Sequence, residues 1–145
     1  MNEKTIIDAD GLVLGRMASI VAKRLLAGES IDIVNAQNVV ISGQRIALVE
    51  KWKEFLTVGG RGKGPTHYRL PNMIVRRTVR GMLPNRVPKG DKAYHRLHVY
   101  IGIPDELSEA EKQRIPEAES SKLNRKFVTV GELAKAIGWN KKGVK

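Results

Sequence analysis

Ten of the chain's lysines and arginines fall within 36 consecutive residues, from 61 to 96. Seven of them are arginines, whose planar guanidinium suits two-point contacts with phosphate and stacking on nucleobases. Tyrosine and histidine rings are interspersed among them, and such rings suit unstacked RNA bases. The pattern indicates an RNA-binding surface. Its candidate residues are Arg61, Lys63, His67, Tyr68, Arg69, Arg76, Arg77, Arg80, Arg86, Lys89 and Arg96.

Two plainer interpretations of these cations stay open. Any single lysine or arginine can be a solvated surface charge with no partner. The stripe of Arg76, Arg77 and Arg80 could instead pair with the acidic residues between 105 and 119. For the cluster as a whole the RNA-binding interpretation is favoured, because almost nothing acidic lies near it in the sequence.

The glycine-rich turns do not match the motifs of nucleotide-binding loops. Gly11 and Gly15 lie between a predicted strand and a predicted helix, where a phosphate-binding loop would stand. Their spacing fits neither G-x-G-x-x-G nor G-x-x-x-x-G-K-[ST]. The segment 59–64 is glycine-rich and basic, but it follows no predicted strand and lacks the terminal Lys-Ser or Lys-Thr. We therefore expect no nucleotide cofactor.

Metal-dependent and acid–base chemistry have little support. His67, His95 and His98 could together ligate zinc, but the surrounding cations disfavour a dication. Asp8 and Asp10 stand two apart at a predicted strand end, without a third ligand at a recognisable spacing. We expect no metal, no cofactor, no catalytic residue and no small-molecule substrate. The rival hypothesis is a small nuclease that uses Asp8, Asp10 or the histidines.

The elements that must position the basic cluster follow from the apolar periodicity. A β-branched run over 5–8 predicts a strand, and apolar residues at helical spacing over 14–25 predict an amphipathic helix. A second strand over 31–35 completes a strand–helix–strand unit, which favours an α/β fold with a parallel or mixed sheet. A further short strand is expected over 39–41, and a second helix from 44 to about 56.

The cluster itself falls on a loop and a helix. The segment 57–72 lacks periodicity and is predicted to be a loop, whereas a helix is expected from 72 or 73 to 82. That helix places its three arginines on one arc, opposite its apolar residues. Later elements are expected as a short helix over 91–97, a strand over 98–101, a helix between the Ser108–Glu111 capping box and Pro116, an extended run over 127–129, and a helix opened by the Thr129–Glu132 capping box.

Length, charge and cysteine content limit the classes of protein to which this sequence can belong. The 145 residues are expected to form one domain, 1–145, with a basic segment over 57–98 and a helical C-terminal extension over 104–145. Residues 51–98 carry a net charge of +10 out of +11 for the chain, which points to a polyanionic partner. The absence of cysteine excludes disulfides and thiolate sites. With no long apolar run and no visible secretory signal, a cytoplasmic protein without a membrane partner is expected.

Several blocks of the sequence resemble the L13 family of large-subunit ribosomal proteins. The most specific block runs from Val75 to Pro84, and after a basic stretch it is followed by the block from Leu97 to Gly102. The sequence from Tyr100 to Pro104 is similar to the archaeal branch of the family. Further blocks agree in the same order, namely Ile7–Ala9, Leu14–Ala18, Ile33–Ala36 and Ile41–Gly43.

The resemblance implies a three-layer α/β/α domain with a small central sheet, and a basic loop-and-helix segment that binds RNA. It also implies a structural constituent of the cytoplasmic large ribosomal subunit, with the large-subunit rRNA and neighbouring ribosomal proteins as partners. Phosphate and shape contacts are expected to dominate, with the acidic segment 105–119 facing away from RNA. A regulatory RNA-binding role outside the ribosome stays open. The positions that the resemblance marks for rRNA contact are Arg76, Arg77, Arg80, Arg86, Lys89 and Arg96.

Overall fold

The computed structural model describes residues 4–57, 69–84 and 86–139. Within these ranges the chain forms five strands and five α-helices, joined by turns and short 3-10 helices. In chain order they are β1 (Lys4–Asp8), α1 (Leu14–Leu26), β2 (Ser30–Val34), β3 (Val40–Ser42), α2 (Arg45–Thr57), α3 (Pro71–Gly81), α4 (Pro88–His95), β4 (Leu97–Val99), β5 (Phe127–Thr129) and α5 (Val130–Ala136).

The first three elements form the predicted parallel strand–helix–strand unit. β1 and β2 pair in parallel, with Ile7 opposite Ile33. All six apolar residues of the predicted α1 stripe are buried, and each fully buried aliphatic side chain contributes about 1.5–3 kcal/mol. The helix ends where Gly28 takes a φ of +107°, which a residue with a Cβ rarely adopts.

A three-stranded parallel sheet with β2 at its centre carries the core. β4 pairs on the other side of β2, with Leu97 opposite Ile31 and Val99 opposite Ile33. These four side chains and Ile7 lie in the main hydrophobic cluster. The predicted α/β class with a small parallel sheet is confirmed.

Helices α3 and α4 flank this sheet and will form the walls of the candidate site. α3 buries Ile74, Val75 and Val79 and contacts both α1 and β4. α4 also contacts α1 and β4 and buries Ala93. Both helices begin with proline, whose fixed φ suits a first helical position.

The structure corrects both ends of the short helix predicted over 91–97, and it supplies the pairing of β3, which the sequence left open. α4 begins at Pro88 rather than at 91, because proline starts a helix readily, and it ends at His95 because β4 has begun by Leu97. The third strand, β3, does not extend the parallel sheet. It pairs antiparallel with β5, so that Ile41 lies opposite Val128.

The helix predicted between Ser108 and Pro116 is wrong. The Ser108 hydroxyl donates to the Asp105 carbonyl instead of capping a helix, and only a 3-10 turn forms, over Asp105–Leu107. The following residues run along β1: the Gln113 amide donates to the Ile6 carbonyl at 2.8 Å, and its carbonyl accepts from Asp8 at 2.9 Å. Backbone hydrogen bonds to the edge of the sheet therefore form in place of the helix that the capping box predicted.

The second predicted capping box forms as expected. The Glu132 amide donates to the Thr129 hydroxyl at 3.2 Å, and α5 follows directly. The extended run over 127–129 is confirmed as β5. In the part of the chain that the structure describes, no helix is long and apolar enough to cross a membrane.

Candidate nucleic-acid interface

The polar side of α3 carries the arginines that the sequence placed on one arc. Packing of Ile74, Val75 and Val79 against the core turns the opposite side of the helix outward. Arg76 and Arg77 are half-buried and Arg80 is exposed. The helix therefore presents cations from a rigid element rather than from a loop.

Tyr94 of α4 organises two of these arginines. Its ring centroid lies 4.3 Å from Cζ of Arg76 and 5.9 Å from Cζ of Arg80. Such guanidinium–ring contacts are attractive and leave the N–H groups at the guanidinium edge available for an anion. Nε of Arg76 is buried, and no hydrogen-bond partner for it lies in the described part of the chain. The ring thus restrains two cationic groups before any ligand arrives.

A cleft of about 520 Å³ opens between α3, α4 and the chain that joins them. It brings three of the predicted RNA-binding arginines together, and it also contains one carboxylate. The lining residues are Arg77, Arg80, Gly81, Leu83, Pro84, Arg86, Gly90, Asp91 and Tyr94. A concave, cationic site with one aromatic ring suits a phosphate-bearing ligand.

Gly90 fixes how closely the two sides of this cleft approach each other. A Cβ at this position would lie 1.9 Å from the carbonyl oxygen of Pro84. Real Cβ atoms do not come that close to a backbone oxygen, so only glycine permits this contact. The first turn of α4 therefore rests directly on the segment that follows α3.

Two of the predicted RNA-binding residues, Arg96 and Arg69, donate hydrogen bonds to backbone carbonyls of the protein itself. Arg96 donates through Nε to the Glu29 carbonyl at 3.3 Å and through Nη2 to the Leu25 carbonyl. It thereby adds side-chain hydrogen bonds to one carbonyl in the last turn of α1 and one just beyond its C-terminus, where the Leu25 carbonyl also accepts from the Gly28 amide at 3.1 Å. Nε of Arg69 donates to the Ile137 carbonyl at 3.1 Å. Both contacts join separate parts of the fold.

The remaining predicted residues are one exposed lysine and four residues that lie outside the described ranges. Lys89 is exposed on α4 but does not line the cleft. The candidates Arg61, Lys63, His67 and Tyr68 lie outside the described residues.

The chain matches one known protein family over most of its length. The family described as Ribosomal protein L13 matches residues 2–106. The chain belongs to this family. Among its relatives is the "Large ribosomal subunit protein uL13" of Methanopyrus kandleri, which is 43% identical over 97% of this chain and 91% of the relative. The protein with the same name from Methanococcoides burtonii is 45% identical over 92% and 97%, and that from Archaeoglobus fulgidus is 44% identical over 93% and 88%.

The L13 match confirms the resemblance seen in the sequence, including its similarity to archaeal members. The matched residues contain α3, α4 and the whole cleft between them. The relatives extend the similarity beyond residue 106 into the C-terminal part, because they cover more than nine-tenths of the chain. The family is one of ribosomal proteins and not of enzymes.

The carboxylate at the end of β1 has a structural explanation in this L13 chain. Oδ1 of Asp8 accepts from Nδ2 of Asn35 at 3.0 Å and from the Asp10 amide at 3.1 Å. Oδ2 lies 3.8 Å from Nη1 of Arg114. These contacts fix the turn between β1 and α1. Within the described ranges, no group of three or more histidine or acidic side chains is arranged to hold a metal ion.

Two polar side chains of the cleft, Tyr94 and Asp91, do not belong to the set predicted from the sequence. Their place depends on α4 lying beside α3, which the linear spacing of residues does not reveal. The interleaving of rings with arginines was the available signal for Tyr94.

Proposed function

We propose that this chain is a structural component of the large ribosomal subunit and binds the large-subunit rRNA through the face formed by α3 and α4. The cleft that brings Arg77, Arg80 and Arg86 together carries this proposal. The names of the archaeal relatives support it, since each is called a large ribosomal subunit protein. The net charge of +11 supports it independently.

Phosphate contacts account for most of the affinity in this proposal. Guanidinium groups on a rigid helix can be placed against successive phosphates of a folded RNA without ordering a loop first. The α/β core acts as the support, and shape rather than base sequence sets most of the specificity. In this role the protein supports subunit assembly and translation in the cytoplasm.

Neighbouring ribosomal proteins are the second class of partner. The segment 105–119 carries four more acidic than basic residues. Part of its charge is compensated internally, because Nη2 of Arg114 lies 2.9 Å from Oε1 of Glu119. The remaining acidic side chains, among them Glu106 and Glu109, are exposed and suit a basic protein surface better than RNA.

The proposal is tested by removing two cleft charges with a matched control. The double variant Arg80→Gln/Arg86→Gln removes two positive charges from the cleft. The control Arg16→Gln/Lys23→Gln removes two charges from exposed positions of α1. Binding of each full-length protein to deproteinised large-subunit rRNA is measured over a range of KCl concentrations.

We expect the cleft variant to bind more weakly and to flatten the plot of log affinity against log salt. Each lost phosphate contact reduces that slope by about 0.7–0.9. The α1 control should keep both affinity and slope close to those of the original protein. Equal losses in both variants would show that total charge, and not the cleft, determines binding.

Sedimentation tests the ribosomal part of the proposal separately. In a sucrose gradient of native lysate, the protein should migrate with the large subunit in stoichiometric amount and remain there in moderate salt. A protein found mainly at the top of the gradient would contradict a structural role in the subunit, even if it binds RNA in isolation.

A further inference from the structure

One carboxylate lines the otherwise cationic cleft. Asp91 lies in the first turn of α4 and is exposed, and Arg77, Arg80 and Arg86 line the same cavity. No ion pair within 4.0 Å joins Asp91 to any other residue that the structure describes. Asp91 therefore shares the cleft with three arginines.

A site that bound only phosphates would be weakened by this carboxylate. An ionised aspartate accepts hydrogen bonds and donates none, and its charge repels phosphate. Its presence in the cleft therefore calls for a donor on the ligand. RNA offers such donors on the Watson–Crick edges of bases that are not paired.

Guanine is the base whose edge fits a carboxylate best. Its N1–H and its N2 amino group lie side by side and can donate to the two carboxylate oxygens together. Adenine and cytosine place a ring acceptor next to their amino group, and uracil flanks its N3–H with two carbonyls. Among the four bases, only guanine thus offers a carboxylate two adjacent donors, with its O6 acceptor on the far side of the N1–H.

We propose that the cleft takes an unpaired guanine nucleotide of the bound RNA, with Asp91 accepting from the N1–H and N2 amino groups. Arg80 and Arg86 then face the phosphates on either side of that nucleotide. Asp91 is then a specificity-determining residue within an interface that otherwise recognises the charge and the shape of the RNA. This inference rests on the proposed RNA-binding function and goes beyond it by naming the base.

A purely structural explanation for Asp91 makes a different prediction. An acidic residue in the first turn of a helix is stabilised by the helix dipole. That role affects the stability of α4 but gives no preference among bases. A base preference that depends on the carboxylate therefore separates the two explanations.

The test uses the full chain and short single-stranded RNAs of uridine that carry one central guanosine, inosine or adenosine. Inosine is guanosine without the N2 amino group, so it removes one of the two donors and changes little else. We expect the unaltered protein to favour guanosine over inosine and adenosine by about tenfold, as for a two-point contact to a base edge. This comparison does not depend on any variant folding correctly.

The variant Asp91→Asn should have two opposite effects. Removal of a negative charge should tighten binding to the RNA made only of uridine, whereas the preference for guanosine should disappear. The matched control is Asp105→Asn, which makes the same charge change in a segment that does not line the cleft. It should keep the guanosine preference of the unaltered protein.

Three results would overturn the inference. Equal affinity for guanosine and inosine would exclude the two-point contact. A guanosine preference that survives Asp91→Asn would assign it to other residues. A preference lost on replacing the central guanosine by deoxyguanosine, but not by inosine, would make the ligand group a 2′-hydroxyl. If Arg80→Gln/Arg86→Gln still weakens rRNA binding in such a case, the proposed function stands and only the role of Asp91 fails.

Discussion

Replacement of Gly90 by alanine tests whether the cleft depends on the close contact between α4 and Pro84. The added Cβ would lie 1.9 Å from the carbonyl oxygen, 2.9 Å from the carbonyl carbon and 3.3 Å from Cα of Pro84. Ordinary contact with the oxygen requires a separation larger by about 1.5 Å. Both partners belong to the backbone, so no side-chain rotation can relieve the overlap.

The expected cost follows from that overlap. Overpacking of a core by a methyl group costs typically about 1–3 kcal/mol, and the rigidity of both partners places Gly90→Ala at about 3 kcal/mol or more. For a domain of this size that corresponds to a fall in Tm of about 10 °C. Because α4 must move away from the α3–α4 connection, affinity for large-subunit rRNA should fall as well.

Gly15→Ala is the matched control for this substitution. A Cβ at Gly15 would meet nothing within 4 Å, and the residue lies exposed in α1. Alanine in a helix is favoured over glycine by up to about 1 kcal/mol, so the control should be neutral or slightly stabilising. Urea and thermal unfolding followed by circular dichroism measure both variants. If Gly90→Ala is destabilised by less than about 0.5 kcal/mol, the argument from close contact is refuted.

Three further substitutions separate structural from RNA-binding roles. Arg96→Lys should lower the free energy of unfolding by about 1.5–3 kcal/mol, because lysine cannot reproduce both hydrogen bonds to the carbonyls at the end of α1, and urea unfolding measures it. Tyr94→Leu should weaken binding to deproteinised large-subunit rRNA about threefold by removing the ring beneath Arg76, whereas Tyr94→Phe should keep full affinity in the same measurement. Thr129→Ala should cost about 1 kcal/mol of stability by removing the N-cap of α5, and Thr129→Ser should restore it.

Each of these predictions has a result that contradicts it. A stable Arg96→Lys variant with a large loss of rRNA affinity would assign Arg96 to the RNA rather than to α1. Equal binding by Tyr94→Leu and Tyr94→Phe would mean that the ring does not position the arginines. Equal stability of Thr129→Ala and Thr129→Ser would show that the hydroxyl does not cap α5.

The elements that the sequence predicted correctly are those with strong local signals. The α1 stripe, the arginine arc of α3 and the Thr129 cap each depend on residues within a turn or two of each other. The Ser108 capping box did not form a helix, because residue 113 instead makes backbone hydrogen bonds to β1, more than a hundred residues away in the chain. The partner of β3 could not be predicted for the same reason.

The site was predictable as a set of charges but not as a geometry. Charge segregation located the basic segment, and periodicity located the arginine face of α3. Spacing alone could not show that Arg96 turns inward to α1 or that Tyr94 lies beside Arg76, because both contacts join different elements. A cation count therefore overestimates the number of side chains that are free to bind RNA.

The fold and the cleft are energetically coupled, since both walls of the cleft rest on the same support. α3 and α4 each pack on α1 and on β4, so RNA that contacts both walls binds the folded state only. A ligand at a hundred times its Kd then adds about 2.7 kcal/mol to the free energy of unfolding. Addition of rRNA should raise the Tm of the Thr129→Ala variant as much as that of the original protein, because its cleft is intact. A smaller increase for Gly90→Ala would show that this substitution damages the cleft itself and not only the stability of the domain.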